Sequence, residues 1–166
     1  IDGQSCDTLI VTVNNVAPIL DAGSDRSVFE GARFTMNPAT FSDEGYNNEF
    51  TATIDWGDGT TEPEAEIVVV AVPGTKGTLL TGSVQAFHHY GDNGTYTIDV
   101  CLNDGRAVVC DTSSVTVINV EPSVDAGEDQ ITDEGTFITL DPATYSDPGF
   151  DNTSAPTQEN FSATID

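Results

Sequence analysis

The sequence predicts an all-β protein, and two observations carry this prediction. No segment keeps apolar residues at helical spacing for three turns. Short runs rich in Val, Ile, Thr and aromatic residues instead recur between clusters of Gly, Pro, Asn and Asp, as strands joined by turns do. About seven strands at this length favour two sheets packed face to face as a sandwich.

The predicted strands lie in the central part of the chain, at 27–30, 33–37, 50–55, 66–72, 78–87, 95–102 and 107–118. The run 67–72 is apolar throughout. It is therefore either covered on both faces or in contact with a neighbouring molecule. We favour cover within the chain, because a bare apolar strand edge invites aggregation.

The chain also repeats itself. Asn-Val-Ala-Pro at 15–18 returns as Asn-Val-Glu-Pro at 119–122, so the offset between the prolines is 122 − 18 = 104 residues. From Phe50 onward the offset is 161 − 50 = 111, because the later copy carries seven additional residues. A repeat of this length has the size of one domain.

The repetition divides the chain into three parts. We predict the C-terminal strand of a preceding repeat at 1–16, a complete repeat at 17–120, here called the central repeat, and the N-terminal part of a further repeat at 121–166, here called the following segment. The linkers contain no Gly/Ser-rich spacer, and each carries a proline that fixes one backbone dihedral. We therefore expect consecutive repeats to sit nearly end to end in a longer tandem array.

The charge of the chain is strongly one-sided. It has 28 acidic and 4 basic side chains, which give a net charge of −24. Such a surface repels phosphate backbones and anionic membranes, so we expect no nucleic-acid partner. No apolar stretch is long enough to span a membrane, so we expect no membrane insertion. The acidity favours a divalent metal or a salty medium, and acidity that serves only solubility is the alternative.

The cysteines indicate the compartment. Cys101 and Cys110 flank a run that is typical of two strand ends around a two-residue turn, which places them opposite each other. In 96–102 the apolar residues share one face and Cys101 lies on the other, so we predict a disulfide on the outer face. Cys6 then lacks a partner in this sequence. A disulfide implies an oxidising compartment, outside the cell or in a periplasm, and we expect an extracellular or cell-surface location; three free thiols in a cytosolic protein are the alternative.

Three short motifs stand in the central repeat: Ile-Asp-Trp-Gly-Asp-Gly-Thr at 54–60, His-His-Tyr at 88–90 and Gly-Thr-Tyr-Thr-Ile at 94–98. Together they resemble the polycystic kidney disease (PKD) domain family, whose usual pattern is Trp-Asp-Phe-Gly-Asp-Gly, then His-x-Tyr, then Gly-x-Tyr-Thr-Val. Here the residues on either side of Asp55 are exchanged. The resemblance implies an immunoglobulin-like β-sandwich of PKD type, repeated in tandem as in large bacterial and archaeal surface proteins.

The first motif has a structural interpretation. Gly57 and Gly59 allow a tight turn with positive backbone dihedrals, and the carboxylate of Asp58 can accept backbone amide hydrogens across it. We interpret Trp56 and Tyr96 as core anchors. A ligand-stacking role for Trp56 is the alternative.

The sequence gives no case for catalysis. The serines lack a Gly-x-Ser-x-Gly setting, and no histidine stands beside a plausible nucleophile. His88 and His89 occupy opposite-facing positions of a strand and cannot readily bind one metal together. We expect one of them to pack and bond to backbone and the other to face solvent, and we expect no enzyme.

Calcium is the expected cofactor, because it takes about six to eight oxygen ligands and the ends of the repeat gather Asp side chains. In calcium-binding relatives of the PKD family, the ligands come from the interdomain linker and an Asp-rich loop. The resemblance therefore implies two ligand sets: Asn15, Asp43 and Asp55 for the central repeat, and Asn119, Asp147 and Asp166 for the following one. Glu44 or Glu121 could take the place of any of these ligands, and solvated acidic loops are the alternative to a metal site.

Three Asn-x-Ser/Thr triplets begin at Asn93, Asn152 and Asn160. Two of them lie in or beside the seven-residue insertion, in a stretch rich in Ser and Thr. We expect a glycan on at least one of the three.

The function expected from these features is mechanical: a non-catalytic module of an extracellular stalk, adhesin or fibre, stiffened by calcium and a disulfide. Its expected partners are neighbouring repeats, like chains in a filament, and glycans. The alternative is a carbohydrate- or protein-binding accessory module of a secreted hydrolase. The aromatic candidates for such binding are few: Phe41, Tyr46 and Tyr145.

Overall fold

The computed structural model of the chain describes residues 6–46, 49–60, 67–152 and 158–165. The regular secondary structure of these residues consists of strands, so the all-β prediction is confirmed. None of the described residues forms a helix that could cross a membrane. The strands, numbered in chain order, are β1 Ile19–Asp21, β2 Arg26–Phe29, β3 Arg33–Thr35, β4 Ala39–Asp43, β5 Thr51–Asp55, β6 Val68–Val72, β7 Leu80–Gln85, β8 Phe87–His89, β9 Gly94–Asn103, β10 Val108–Ile118, β11 Ser123–Asp125 and β12 Thr144–Ser146.

Most of the strands belong to two four-stranded sheets, with the orders β1-β4-β7-β6 and β2-β10-β9-β5. The pairing of β2 with β10 is parallel and the other pairings are antiparallel. β3 pairs with β8. Between the β3–β8 pair and the β4–β7 pair, the Met36 N–H donates to the Ala86 carbonyl at 3.3 Å. The segments β3–β4 and β7–β8 therefore form one long, interrupted antiparallel ribbon.

The hydrophobic core lies between the two sheets. On β9 the side chains of Ile98, Val100 and Leu102 are fully buried and alternate with half-buried ones, which is the period of a strand with one face inward. The opposite sheet contributes buried side chains from β4 and β7. The buried apolar residues are Ala22, Phe34, Met36, Ala39, Phe41, Trp56, Leu80, Val84, Ala86, Tyr90, Ile98, Val100, Leu102, Val115 and Val117.

Residues 6–16, in the range predicted as the last strand of a preceding repeat, form no strand. Within the central repeat, the predicted strands agree with the structure except in three respects. β1 and β4 were not predicted, and the predicted strand 78–87 is divided into β7 and β8. The expectation that 67–72 is covered within the chain is wrong for β6. This strand lies at a sheet edge, and Val68, Val70 and Val72 are 45%, 51% and 59% exposed because alternate side chains point away from the core. Residue 66 lies outside the described residues.

The β11–β12 pair reproduces the β1–β4 pair. The register is the same after 104 is added to each residue number: Ile19 with Ser42 and Leu20 with Phe41, then Ser123 with Ser146 and Val124 with Tyr145. Two ring pairs agree as well, with centroids 4.7 and 4.8 Å apart and both at 48°: Phe41 with Phe50, and Tyr145 with Phe161. The repetition in sequence is thus accompanied by the same local pairing.

The predicted disulfide between Cys101 and Cys110 is present. The two residues are directly opposed on β9 and β10, with 4.1 Å between their Cα atoms. Cys110 is exposed and Cys101 half-buried, so the bond lies on the outer face of the sheet as expected. Cys6 is a free, exposed thiol.

The disulfide predicts a measurable loss of stability on removal. In Cys101→Ser/Cys110→Ser the free energy of unfolding should fall by about 2–3 kcal/mol, the chain-entropy value for a loop of roughly ten residues. The fold should persist, because the backbone ladder of β9 and β10 does not need the bond. Urea unfolding of the variant, beside the wild type with and without reductant, measures the difference. Equal unfolding midpoints would contradict a stabilising role.

Candidate functional site

The turn after β5 has the geometry that its glycines allow. Gly57 and Gly59 have φ values of +78° and +83°. A Cβ on Gly57 would lie 2.3 Å from the Thr97 carbonyl oxygen, so the turn packs directly on the backbone of β9. The Asp55 carboxylate accepts a hydrogen bond from the Gly57 N–H at 2.9 Å. The turn is therefore fixed by backbone contacts as well as by its sequence.

A buried carboxylate–imidazole pair closes this turn. Asp58 Oδ1 accepts from the Thr60 N–H at 3.0 Å and the Thr60 hydroxyl at 2.6 Å, and His88 Nε2 lies 2.8 Å from Oδ2. His88 is completely buried and Asp58 is 6% exposed. A hydrogen bond to Asp58 from a backbone amide across the turn was predicted, and the Thr60 N–H, which the prediction did not name, is its donor. The His88 partner was not, since we expected the packed histidine to bond to backbone.

Aromatic rings surround the pair. The Trp56 ring stacks on His88 with centroids 5.0 Å apart and 8° between the planes, and Tyr90 meets the imidazole edge-on at 4.6 Å. The Tyr90 hydroxyl donates to the Trp56 carbonyl at 3.1 Å, and Tyr96 stacks on Tyr90 at 4.7 Å. Trp56 is 5% exposed and thus presents no face to a ligand, so it is a core anchor.

The environment shifts the titration of Asp58. Burial alone would raise the pKa of Asp58, but the hydrogen bonds from His88 and Thr60 outweigh it, and the pKa lies below its ordinary value of 3.8. For Tyr90, burial raises the pKa and the Asp58 carboxylate adds to the effect, so the phenol keeps its proton. The pair therefore combines an ionised acid with neutral aromatic walls.

The lowered pKa of Asp58 predicts an acid-dependent stability. A carboxyl group whose pKa is lower in the folded state stabilises the fold above the unfolded-state pKa, and that stability is lost as the pH falls through the folded-state pKa. The free energy of unfolding should therefore fall as the pH drops below about 4, the ordinary pKa of an Asp side chain. In Asp58→Asn the decline should be smaller, and at neutral pH the variant should be less stable by about 1–3 kcal/mol.

The measurement is urea unfolding over this pH range. Asp21→Asn is the control, because that carboxylate accepts an exposed hydrogen bond from the Gly23 N–H at 2.8 Å and lies outside the buried pair. An Asp58→Asn profile parallel to that of the wild type would show that the buried pair does not govern acid sensitivity.

A second site lies where the following segment meets the central repeat. The Phe150 N–H donates to the Gly91 carbonyl at 2.9 Å. A Cβ on Gly91 would lie 2.3 Å from the Phe150 carbonyl oxygen, and one on Gly31 would lie 2.0 Å from that of Pro148. Two glycines thus permit a backbone-to-backbone approach of residues 147–151, which we call the junction loop.

Three carboxylates converge beside the junction loop. Glu30, Asp147 and Glu159 each place one oxygen within 4.8 Å of the others, and we call them the junction cluster. Glu30 is 1% exposed, and its Oε1 accepts from the Val120 N–H at 2.5 Å. Asp147 Oδ1 accepts from the Gly149 N–H at 2.7 Å. The cluster therefore joins both the linker and the junction loop to the central repeat.

The ion pair in the described residues is the buried one between His88 and Asp58. No described cationic side chain forms an ion pair with the junction cluster. The Oε2 atom of Glu30 and the Oε1 atom of Glu159 are buried without a hydrogen-bond partner. Burial raises the pKa of Glu159, and the charges of Glu30, Asp92 and Asp147 raise it further. Two ionised groups within this distance repel by at least roughly 3.5 kcal/mol at an effective dielectric constant of about 20.

Three of the six predicted calcium ligands form hydrogen bonds within the protein. The Asn15 amide donates to Asp104 Oδ2 at 2.9 Å, Asp43 accepts from the Gly45 N–H, and Asp55 bonds within its own turn. Asn119 is exposed, and Asp166 lies outside the described residues. Calcium binding by these two ligand sets stays a prediction. Among the described residues, one of the predicted calcium ligands, Asp147, belongs to the junction cluster.

Sequence reasoning missed Glu30 and Glu159 as candidate ligands. One signal existed for Glu30, since the pair Glu30-Gly31 returns 104 residues later as Glu134-Gly135. No local signal existed for Glu159, which belongs to the longer loop. A further group of Asp99, Cys101 and Cys110 also brings ligand atoms together, but its sulfurs form the disulfide and supply no thiolate.

The predicted glycosylation sites differ in exposure. Asn93 and Asn160 are exposed, whereas Asn152 is half-buried. The Asn160 side-chain amide donates to the Gln158 carbonyl at 3.1 Å. Attachment of glycans stays a prediction for all three.

The comparisons with known proteins do not assign a family. No family model matches the chain, and no significant match occurs among curated proteins. The resemblance to PKD domains therefore rests on the sequence motifs alone.

Proposed function

We propose that this chain is a non-catalytic structural part of an extracellular stalk, adhesin or fibre built from head-to-tail PKD-like repeats. The observation that carries the proposal is the junction itself. The Phe150 N–H to Gly91 carbonyl bond and the close approach of Pro148 to Gly31 hold the following segment against the central repeat. A docked junction transmits orientation and load from one repeat to the next.

The strand order supports the immunoglobulin-like part of the proposal. The sheets β1-β4-β7-β6 and β5-β9-β10 have the orders of the A-B-E-D and C-F-G sheets of immunoglobulin domains, with β3 and β8 extending the first sheet. The strand β2, which pairs in parallel with β10, adds an edge to the second sheet. The identical registers of β1–β4 and β11–β12 support a second copy of the fold beginning at 121.

The two ends of the central repeat support a stiff array. At one end Asn15, in the linker, donates to Asp104 in the β9–β10 turn. At the other end Val120, in the next linker, donates to Glu30. Both linkers are therefore attached to the central repeat by side-chain hydrogen bonds and do not behave as free spacers.

An extracellular location agrees with the disulfide, since such bonds persist in oxidising compartments. The non-catalytic proposal is supported by His88, which is buried and bonded to Asp58 and therefore closed to a substrate. The alternative of a ligand-binding accessory module has less support. Phe41 is 4% exposed, which leaves Tyr46 and Tyr145, at 53% and 61% exposed, as the accessible ones of the three aromatic residues named above, and one face of Tyr145 contacts Phe161.

The docked junction predicts protection of one amide from hydrogen exchange. In the wild type the Phe150 amide should exchange slowly, because it donates to Gly91. In Gly91→Ala and Gly31→Ala, a methyl group occupies the space of the Phe150 or Pro148 carbonyl, so exchange at Phe150 should accelerate about tenfold, the equivalent of one lost hydrogen bond.

Gly77→Ala is the matched control for Gly31→Ala. Both glycines have left-handed φ values, +81° and +68°, but a Cβ on Gly77 meets nothing within 4 Å. The control should lose some stability through backbone strain while Phe150 stays protected. Rapid exchange at Phe150 in the wild type, both with and without calcium, would refute a docked junction and, with it, the proposed stiff array.

A further inference from the structure

The junction cluster combines features that an acidic surface alone does not explain. Glu30, Asp147 and Glu159 come from three separate stretches of the chain, yet each brings a carboxylate oxygen within 4.8 Å of the others. Two further acidic side chains, Asp92 and Asp151, lie close enough to act on Glu159 electrostatically. No basic side chain in the described parts of the chain forms an ion pair with this group.

The second observation is the unsatisfied polar atoms. The Glu30 side chain is buried, with 1% of its surface exposed. Its Oε1 atom accepts a hydrogen bond from the linker, but its Oε2 atom has no hydrogen-bond donor. The buried Oε1 atom of Glu159 also has no donor. Buried carboxylate oxygens are normally paired or bound to a metal. A cation between them would supply the missing partner for both atoms.

We propose that Glu30, Asp147 and Glu159 bind a divalent cation of the Ca²⁺ class, which connects the central repeat to the following segment. This inference rests on the proposed function, because it assigns the ion to the docked junction. An all-oxygen ligand set is typical of hard cations. Ca²⁺ accepts carboxylate oxygens in a flexible geometry, whereas Mg²⁺ demands a near-ideal octahedron and usually keeps several waters, so a set of three carboxylate side chains favours calcium.

The longer loop of the following segment acquires a role through this site. Glu159 lies in that loop, and its N–H donates to Asp151 Oδ1 at 2.9 Å. A Cβ on Gly149 would lie 2.5 Å from Glu159 Oε1 and 2.9 Å from Asp147 Oδ1. Both carboxylates therefore contact the backbone of the junction loop. Glu159 thereby lies at the junction and completes the ligand set.

The test is calorimetric titration of the full 166-residue chain with CaCl₂ after removal of metal. We expect saturable binding of one ion to the junction cluster, with a dissociation constant near that of extracellular calcium modules, about 10⁻⁴–10⁻³ M. Glu30→Gln and Glu159→Gln should each weaken that binding about tenfold or more, because each removes an anionic ligand. Glu128→Gln is the charge-matched control, since it removes one exposed charge from the same segment.

Thermal unfolding separates a lost ligand from a misfolded variant. In chelator, Glu159→Gln should melt at or above the wild-type temperature, because one repelling charge is removed. In calcium, the wild type should gain more thermal stability than this variant. Absence of saturable binding, or equal weakening by Glu128→Gln, would overturn the inference and indicate diffuse counterion attraction.

Loss of binding in Asp43→Asn with full binding in Glu30→Gln would likewise overturn the inference, in favour of the other predicted ligand set. Hydrogen exchange at Phe150 in chelator and in calcium distinguishes the two proposals. Protection without calcium binding leaves the docked junction intact and removes only the ion. Rapid exchange in both conditions removes the docked junction itself.

Discussion

The buried hydrogen bond between Asp58 and His88 is the contact on which the rest of the structure depends. Asp58 follows β5 of one sheet, and His88 lies on β8, which continues β7 of the other sheet. The pair therefore ties the two sheets together through a charged group held away from water. Trp56 and Tyr90 enclose the imidazole, so the interaction acts in a medium of low dielectric constant, where a hydrogen bond is strong and an unpaired partner is costly.

The residues that directly follow His88 connect the buried pair to the junction. Two residues after His88, the Tyr90 carbonyl accepts the Gly31 N–H at 2.9 Å, and the next residue, Gly91, accepts the Phe150 N–H. Gly31 and Gly91 contact the junction loop, and Gly31 follows Glu30 directly. The core and the junction are thus connected through a few consecutive residues, so the position of the junction loop is set by a strand that the buried pair holds in place.

Local pattern predicted what is local in this fold. In β9 and β10, more buried and more exposed side chains alternate over ten and eleven residues. The disulfide follows from the register of these two strands. β1 and β4 were missed because β1 has only three residues and β4 has Thr, Ser and Asp at three of its five positions, so their pairing depends on neighbouring strands more than on propensity. The partner of Asp58 and the junction cluster could not be predicted, since each joins residues that are distant in sequence and no periodic pattern relates them.

The distribution of charge separates the stability of the repeat from that of the junction. Inside the repeat, the buried Asp58 has His88 and Thr60 as hydrogen-bond donors, so the core carries its own compensation. At the junction, backbone hydrogen bonds and two glycines force carboxylates together without an internal donor for two of their oxygens. Salt screens exposed charges well and buried ones poorly, so screening alone relieves this repulsion incompletely. The central repeat can therefore keep one structure across ionic conditions, while at the proposed cation site the strength of its attachment to the following segment would depend on which cations the surroundings supply.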